Sequence, residues 1–114
     1  MAEMINFDLV RDIALRLPDV EATESSRGPG LKVRGKLMAC PAIHKSVEPE
    51  TLMVRVSKDE REERIAKDPD VYYITDHYRS YPALLVRLSK IDQDSLANLL
   101  GCSWRFVYEK AVSK

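Results

Sequence analysis

Thr51-Leu52-Met53-Val54-Arg55-Val56 alternates with a period of two, and Leu84-Leu85-Val86-Arg87-Leu88 repeats the pattern. That period is the side-chain repeat of a strand and cannot be met by a helix, whose repeat is 3.6 residues. Leu52, Val54 and Val56 must share one sheet face, as must Leu84, Val86 and Leu88. Met53, Arg55, Leu85 and Arg87 then point the other way. One face of the sheet needs a cover of apolar helices, and the rest of the chain has to provide it.

Three segments have the spacing to do so. Phe7, Val10, Ile13, Ala14 and Leu17 form an apolar stripe over a helix from about Phe7 to Arg16, with Asn6 as N-cap and Pro18 as its stop. Ser57 with Glu60 is a capping box that opens a second helix, ending near Asp68 before Pro69. A third starts at Asp92, where Ile91 and Leu96 can form a hydrophobic staple, and buries Leu96, Leu99, Leu100, Trp104 and Val107. Gly101 inside this helix predicts close packing, since glycine there costs up to ~1 kcal/mol relative to alanine.

Further strands are expected. Residues 21–30 read as a short strand followed by a loop. Leu31–Val33 and Lys36–Ala39 read as a hairpin turning at Arg34-Gly35, where glycine supplies a positive φ. Pro41 marks a sheet edge or strand end. Val71–Thr75 reads as a strand and Asp76–Pro82 as an extended polar, aromatic connection. The expected fold is α+β: a two-layer sandwich with an antiparallel sheet and helices on one face. The order is helix, strands, helix, two strands, helix, in one domain spanning residues 1–114. The second sheet face is expected to be partly open, with Arg55 and Arg87 projecting from it.

Composition narrows the function classes. The 18 basic and 18 acidic residues cancel, which argues against a dedicated non-specific nucleic-acid binder. The charge is unevenly placed, however. Residues 1–26 hold two basic and six acidic side chains, a net of −4, and residues 27–58 hold seven and two, a net of +5. Met1-Ala2-Glu3-Met4 does not open a signal peptide, and no apolar run is long enough to span a membrane. Cys40 and Cys102 lie in no CxxC, which fits reduced thiols in the cytoplasm.

Several constellations carry possible chemistry. Thr75-Asp76-His77-Tyr78-Arg79-Ser80-Tyr81-Pro82 concentrates a carboxylate, an imidazole, a guanidinium and two phenols. It can stack on a ring and hold an anion through Arg79, or it can be a turn whose tyrosines cover the sheet while Asp76 caps backbone amides. Asp76 and His77 are neighbours in an extended segment, so they face apart and make no acid–base pair. A Cys40 dyad with His44 or His77 has no local support, and no Cys or His pair has metal-ligand spacing. No catalytic residue, metal or cofactor is therefore expected. The acidic residues of the second helix pair with bases at i,i+4 as Glu60–Arg64 and Glu63–Lys67, which makes that helix face a solvated one. Arg27, Lys32, Arg34 and Lys36 form a run without acids on the hairpin, either a wing for phosphate or a solubilising tip.

Taken in order, several pieces resemble the MmcQ/YjbR family. They are Leu31-Lys32-Val33-Arg34-Gly35-Lys36, the strand 52–56, Asp68-Pro69, Thr75-Asp76-His77-Tyr78 to Tyr81-Pro82, Leu85-Val86-Arg87-Leu88 and Trp104-Arg105. The resemblance covers nearly the whole chain, and the Thr-Asp-His-Tyr…Tyr-Pro signature is its most specific part. It implies a two-layer fold similar to CyaY-like proteins and a DNA-binding role through a double-wing surface, with no catalytic residues. His77, Tyr78, Arg79 and Tyr81 fall on the signature. Two functional expectations follow. In one, the chain binds DNA or another anionic ligand through Lys32, Arg34, Lys36, Arg55 and Arg87 on the wings and open face. In the other, a pocket around Asp76, His77, Tyr78, Arg79 and Tyr81 takes a small ligand, whether as a binding protein or as an enzyme.

Overall fold

The computed structural model describes residues 5–26 and 28–112. Met1–Met4 and Arg27 lie outside the described residues. The elements are α1 (Phe7–Ala14), β1 (Val20–Ser25), β2 (Gly28–Val33), β3 (Lys36–Pro41), β4 (Thr51–Arg55), α2 (Lys58–Lys67), β5 (Tyr72–Tyr73), α3 (Asp76–Arg79), β6 (Ala83–Arg87) and α4 (Gln93–Val112). The strands form one antiparallel sheet in the order β1-β2-β3-β4-β6-β5. This is the expected α+β architecture, with β6 inserted between β4 and β5.

Local chemistry sets the helix starts. Asn6 Oδ1 accepts from the Leu9 amide (3.1 Å), Ser57 Oγ from the Glu60 amide (3.1 Å) and Asp92 Oδ1 from the Ser95 amide (2.7 Å). Each bond satisfies an amide that has no partner within its own helix. The main core lies between the sheet and helices α1 and α4. Val10 and Ala14 of α1 and Leu96, Leu99 and Leu100 of α4 meet Leu31, Val33, Leu52, Val54, Leu84 and Val86 there, all of them fully buried.

A bulge in β3 shapes both faces. Leu31 pairs with Ala39 but Lys32 pairs with Leu37, so Met38 is an extra residue on β3. An inserted residue shifts the alternation of the strand that carries it. Met38 and Ala39 both join the helix-side core, while Leu37 and Cys40 lie on the opposite side.

The structure corrects several expectations. Residues 28–30 belong to β2 and are not loop: Gly28, at φ 108°, lets the chain enter the strand directly. The strand expected over Val71–Thr75 is only Tyr72–Tyr73. Asp76–Arg79 is a helical turn rather than extended chain, so Asp76 and His77 do not alternate across a strand as expected. The second sheet face is not open at β4 and β6. Met53, Ala83 and Leu85 form a small second cluster there, covered by Ala42, Val47, Ile74 and Tyr78. A Cβ on Gly101 would meet nothing within 4 Å, so close packing does not explain this glycine. Trp104 is half-buried at the margin of the core, where its indole donates to the Pro18 carbonyl (2.7 Å) and stacks on Tyr108. Ser103 holds the fully buried position beside it, with its hydroxyl donating to the Met38 carbonyl (3.3 Å).

Candidate functional site

β4, β6 and the 76–83 segment enclose a cleft of about 510 Å³ on the sheet face away from α4. Its floor is Met53, Leu37 and Ala83, its wall is His77 and Tyr78, and its mouth is Tyr81 and Pro82, with Arg55 as its one lining cation. The size is that of a small-molecule site. Tyr81 is 55% exposed, which leaves a flat apolar ring at the opening.

The segment is pinned from below. Arg61 is 4% exposed, and its Nη1 donates to the carbonyls of Arg79 (3.2 Å), Tyr81 (3.0 Å) and Ala83 (3.3 Å). Its Nε donates to Glu62 (2.9 Å). One guanidinium thereby fixes the backbone that carries Tyr81. The sequence does not single out Arg61, because within Asp59-Glu60-Arg61-Glu62-Glu63 it looks like another solvated charge. Of the expected pairs on α2, Glu60–Arg64 forms (2.6 Å). Glu63–Lys67 is not among the ion pairs of the described residues.

The wall is held from the side by the loop between β3 and β4. The His44 and His77 rings stack at 3.6 Å and 8°, and Tyr78 meets His77 edge-on at 4.8 Å. The Ser46 amide donates to His44 Nδ1 (3.0 Å), and the Ser46 hydroxyl lies 2.8 Å from that nitrogen and 3.0 Å from Thr75 Oγ1. Burial of its half-exposed ring, then the neighbouring His77 and Lys45, hold the His44 pKa below the ordinary imidazole value. Burial, followed by the Cys40 thiol, raises that of Tyr78. Burial also raises that of Cys40, which keeps it a thiol and a poor nucleophile.

The ten side chains picked out in the sequence separate into groups. Arg55, His77, Tyr78 and Tyr81 converge on the cleft. Lys32 sits across the register from the cleft residue Leu37. Asp76 and Arg79 lie outside it on the exposed side of α3, paired with each other (3.4 Å), and the N-cap of α3 is Thr75, whose side chain makes no capping bond. Arg34 and Lys36 are at the hairpin tip, where Arg34 reaches Asp19 (3.5 Å) and the Tyr108 ring. Arg87 does not project from the sheet. It binds Glu48 through Nε and Nη2 (2.7 Å at the closest), donates to the Pro69 and Asp70 carbonyls (both 3.1 Å) and lies 4.2 Å from the Tyr73 ring centroid. His44, Ser46 and Arg61 complete the site without having been proposed for it. His44 and Ser46 lie about thirty residues from α3 in sequence, and no local pattern announces that contact.

A family model described as YjbR matches residues 15–106. Uncharacterized proteins of Mycobacterium bovis and Mycobacterium tuberculosis are each 45% identical over 40 residues, 35% of this chain. The match spans about a third (31%) of the length of these relatives. The crystal structure of protein DR2400 of Deinococcus radiodurans, a DUF419 domain, superposes with a TM-score of 0.76 at 22% identity, covering 97% of this chain and 84% of that one. At that identity the likeness concerns the fold.

Proposed function

The chain belongs to the YjbR family, and from that premise we propose that it is a binding module whose ligand is a flat ring bearing an anionic group, held in the cleft at Tyr81. One observation carries this reading: Arg55, His77, Tyr78 and Tyr81, scattered over 27 positions of sequence, line one concave site. The exposed Tyr81 ring offers a stacking surface, and Tyr78 and His77 give the ligand an aromatic wall. Arg55, whose guanidinium also lies 5.9 Å from the Phe106 ring centroid, supplies the counter-charge. Cys40 and Cys102 are both free, which fits work in a reducing compartment such as the cytoplasm.

A DNA-binding role would use the wings and the sheet face instead. Arg87 is fully engaged within the fold, Arg34 faces Asp19, and Glu21 pairs with Lys32 in the strand register. The basic residues therefore do not add up to one continuous phosphate track, and the cleft draws the stronger support. Calorimetric titration with benzoate, naphthalene-2-sulfonate and adenosine monophosphate tests the assignment. Saturable binding is expected for at least one of them. Tyr81→Ala should weaken it by ~1–3 kcal/mol, the range for a stacked ring. Arg55→Met should abolish the preference for the anion over its neutral amide or nucleoside. Binding that ignores both substitutions would move the site elsewhere.

A further inference from the structure

The cleft wall is closed by a contact between two imidazoles, and its chemistry makes that contact sensitive to protons. His44 Nδ1 accepts from the Ser46 amide (3.0 Å), so in this arrangement that nitrogen carries no proton. Adding one turns the contact with the Ser46 amide into donor against donor and leaves the Ser46 hydroxyl, 2.8 Å away, as the only acceptor there. The His77 ring lies face to face at 3.6 Å, so a charge on one ring opposes a charge on the other. The surroundings do not relieve this. On the loop, Lys45 adds positive charge beside His44, and Glu48 is held by Arg87. On α3, Asp76 is paired with Arg79, while Tyr78 is neutral. Cys40 of β3 and Tyr73 of β5 face Tyr78, and burial keeps Cys40 a thiol. Among the described residues no carboxylate forms an ion pair with either imidazole.

The same contact is where the 42–47 loop meets the cleft. Besides the stack, the loop holds α3 through Ser46–Thr75 (3.0 Å), and His77 and Tyr78 are themselves cleft wall. We propose that the His44–His77 stack is a pH-operated latch: proton uptake parts the 42–47 loop from α3 and removes the outer support of one wall of the cleft. Its functional meaning, release of the bound ring on acidification, rests on the reading of the cleft given above. The depressed His44 pKa has the matching sign, since the closed, stacked state disfavours the proton and an opened state does not.

Amide hydrogen exchange tests the latch without any ligand. Exchange of wild type and His77→Phe is followed at about pH 8 and about pH 5, either side of the imidazole range, and corrected for intrinsic rates. Phenylalanine keeps a flat ring against His44 but takes no proton. In wild type, protection at residues 43–47 and 76–81 should fall between about pH 8 and about pH 5, because the closed state disfavours the proton on His44. In His77→Phe the fall should be smaller, since only His44 then takes a proton, while the protection of β4 and β6 stays constant in both. Equal protection at both pH values in wild type, or an equal loss in His77→Phe, would overturn the latch. Calorimetric titration of adenosine monophosphate at the two pH values separates the ideas. Protection that falls on acidification with no binding at either pH leaves the latch standing and removes the ligand reading. Binding with unchanged protection removes the latch alone.

Discussion

Arg61 shows how far one side chain can organise a site. A guanidinium with five donors suits a cluster of carbonyls turned inward where the chain leaves α3 for β6. Replacing it by alanine leaves the carbonyls of Arg79, Tyr81 and Ala83 without that donor. Arg61→Ala should cost about 3 kcal/mol, read as a lower urea midpoint at unchanged slope. A loss under about 0.5 kcal/mol, the size of an ordinary surface change, would show that the carbonyls find water instead. Glu48 gives a pH-dependent counterpart. Its hydrogen bond from Arg87 holds its carboxyl below the usual carboxylate range. A depressed folded-state pKa contributes stability that is present above the unfolded value of about 4.3 and lost as pH falls through the folded value. Glu48→Gln should therefore flatten the acid limb of the stability curve below that point. Identical acid limbs for wild type and variant would mean that the pair does not form in solution.

Elements with their own local signal were legible, and those defined by distant partners were not. The alternation of β4 and β6, the Arg34-Gly35 turn and the three N-caps are written in short stretches of sequence, and all appear where expected. α3 escaped because four residues are too few for a periodic pattern, and it is held by packing on Met53 and Leu85 and by Arg61. The end of β2 escaped because Gly28-Pro29-Gly30 reads as turn chemistry, although Pro29 and Gly30 pair with Glu24 and Thr23 of β1. Gly101 in α4 reverses its expected meaning. With open space where a Cβ would stand and ordinary helical backbone around it, Gly101→Ala should stabilise the protein by up to ~1 kcal/mol. A thermal melt checks this directly, and a lower midpoint would reveal a close approach by α4 that the structure does not contain.

Across the whole molecule, two clusters divide the labour. The larger one, between the sheet and helices α1 and α4, holds the fold, and the smaller one around Met53, Ala83 and Leu85 forms the bed of the cleft. This division explains why the architecture was legible while the site was only half so. Burial of a repeating apolar face dictates the first, whereas the second depends on which loops cross the other face. Tyr78 and Tyr81 stood out in the sequence because so many rings in one connection exceed what a turn requires. Arg87 stood out equally, as a charge on a strand, and turned out to be a structural tie between β6 and its flanking loops. Whether the cleft or the basic wings meet the ligand is settled most directly by a nitrogen-15 amide NMR titration with adenosine monophosphate. The account predicts shifts that saturate and cluster at Leu37, Met53, Arg55 and residues 77–83, and that need a higher ligand concentration to saturate in Tyr81→Ala. Shifts confined to the 32–36 hairpin, or no shifts at all with this or any other small aromatic anion, would contradict it.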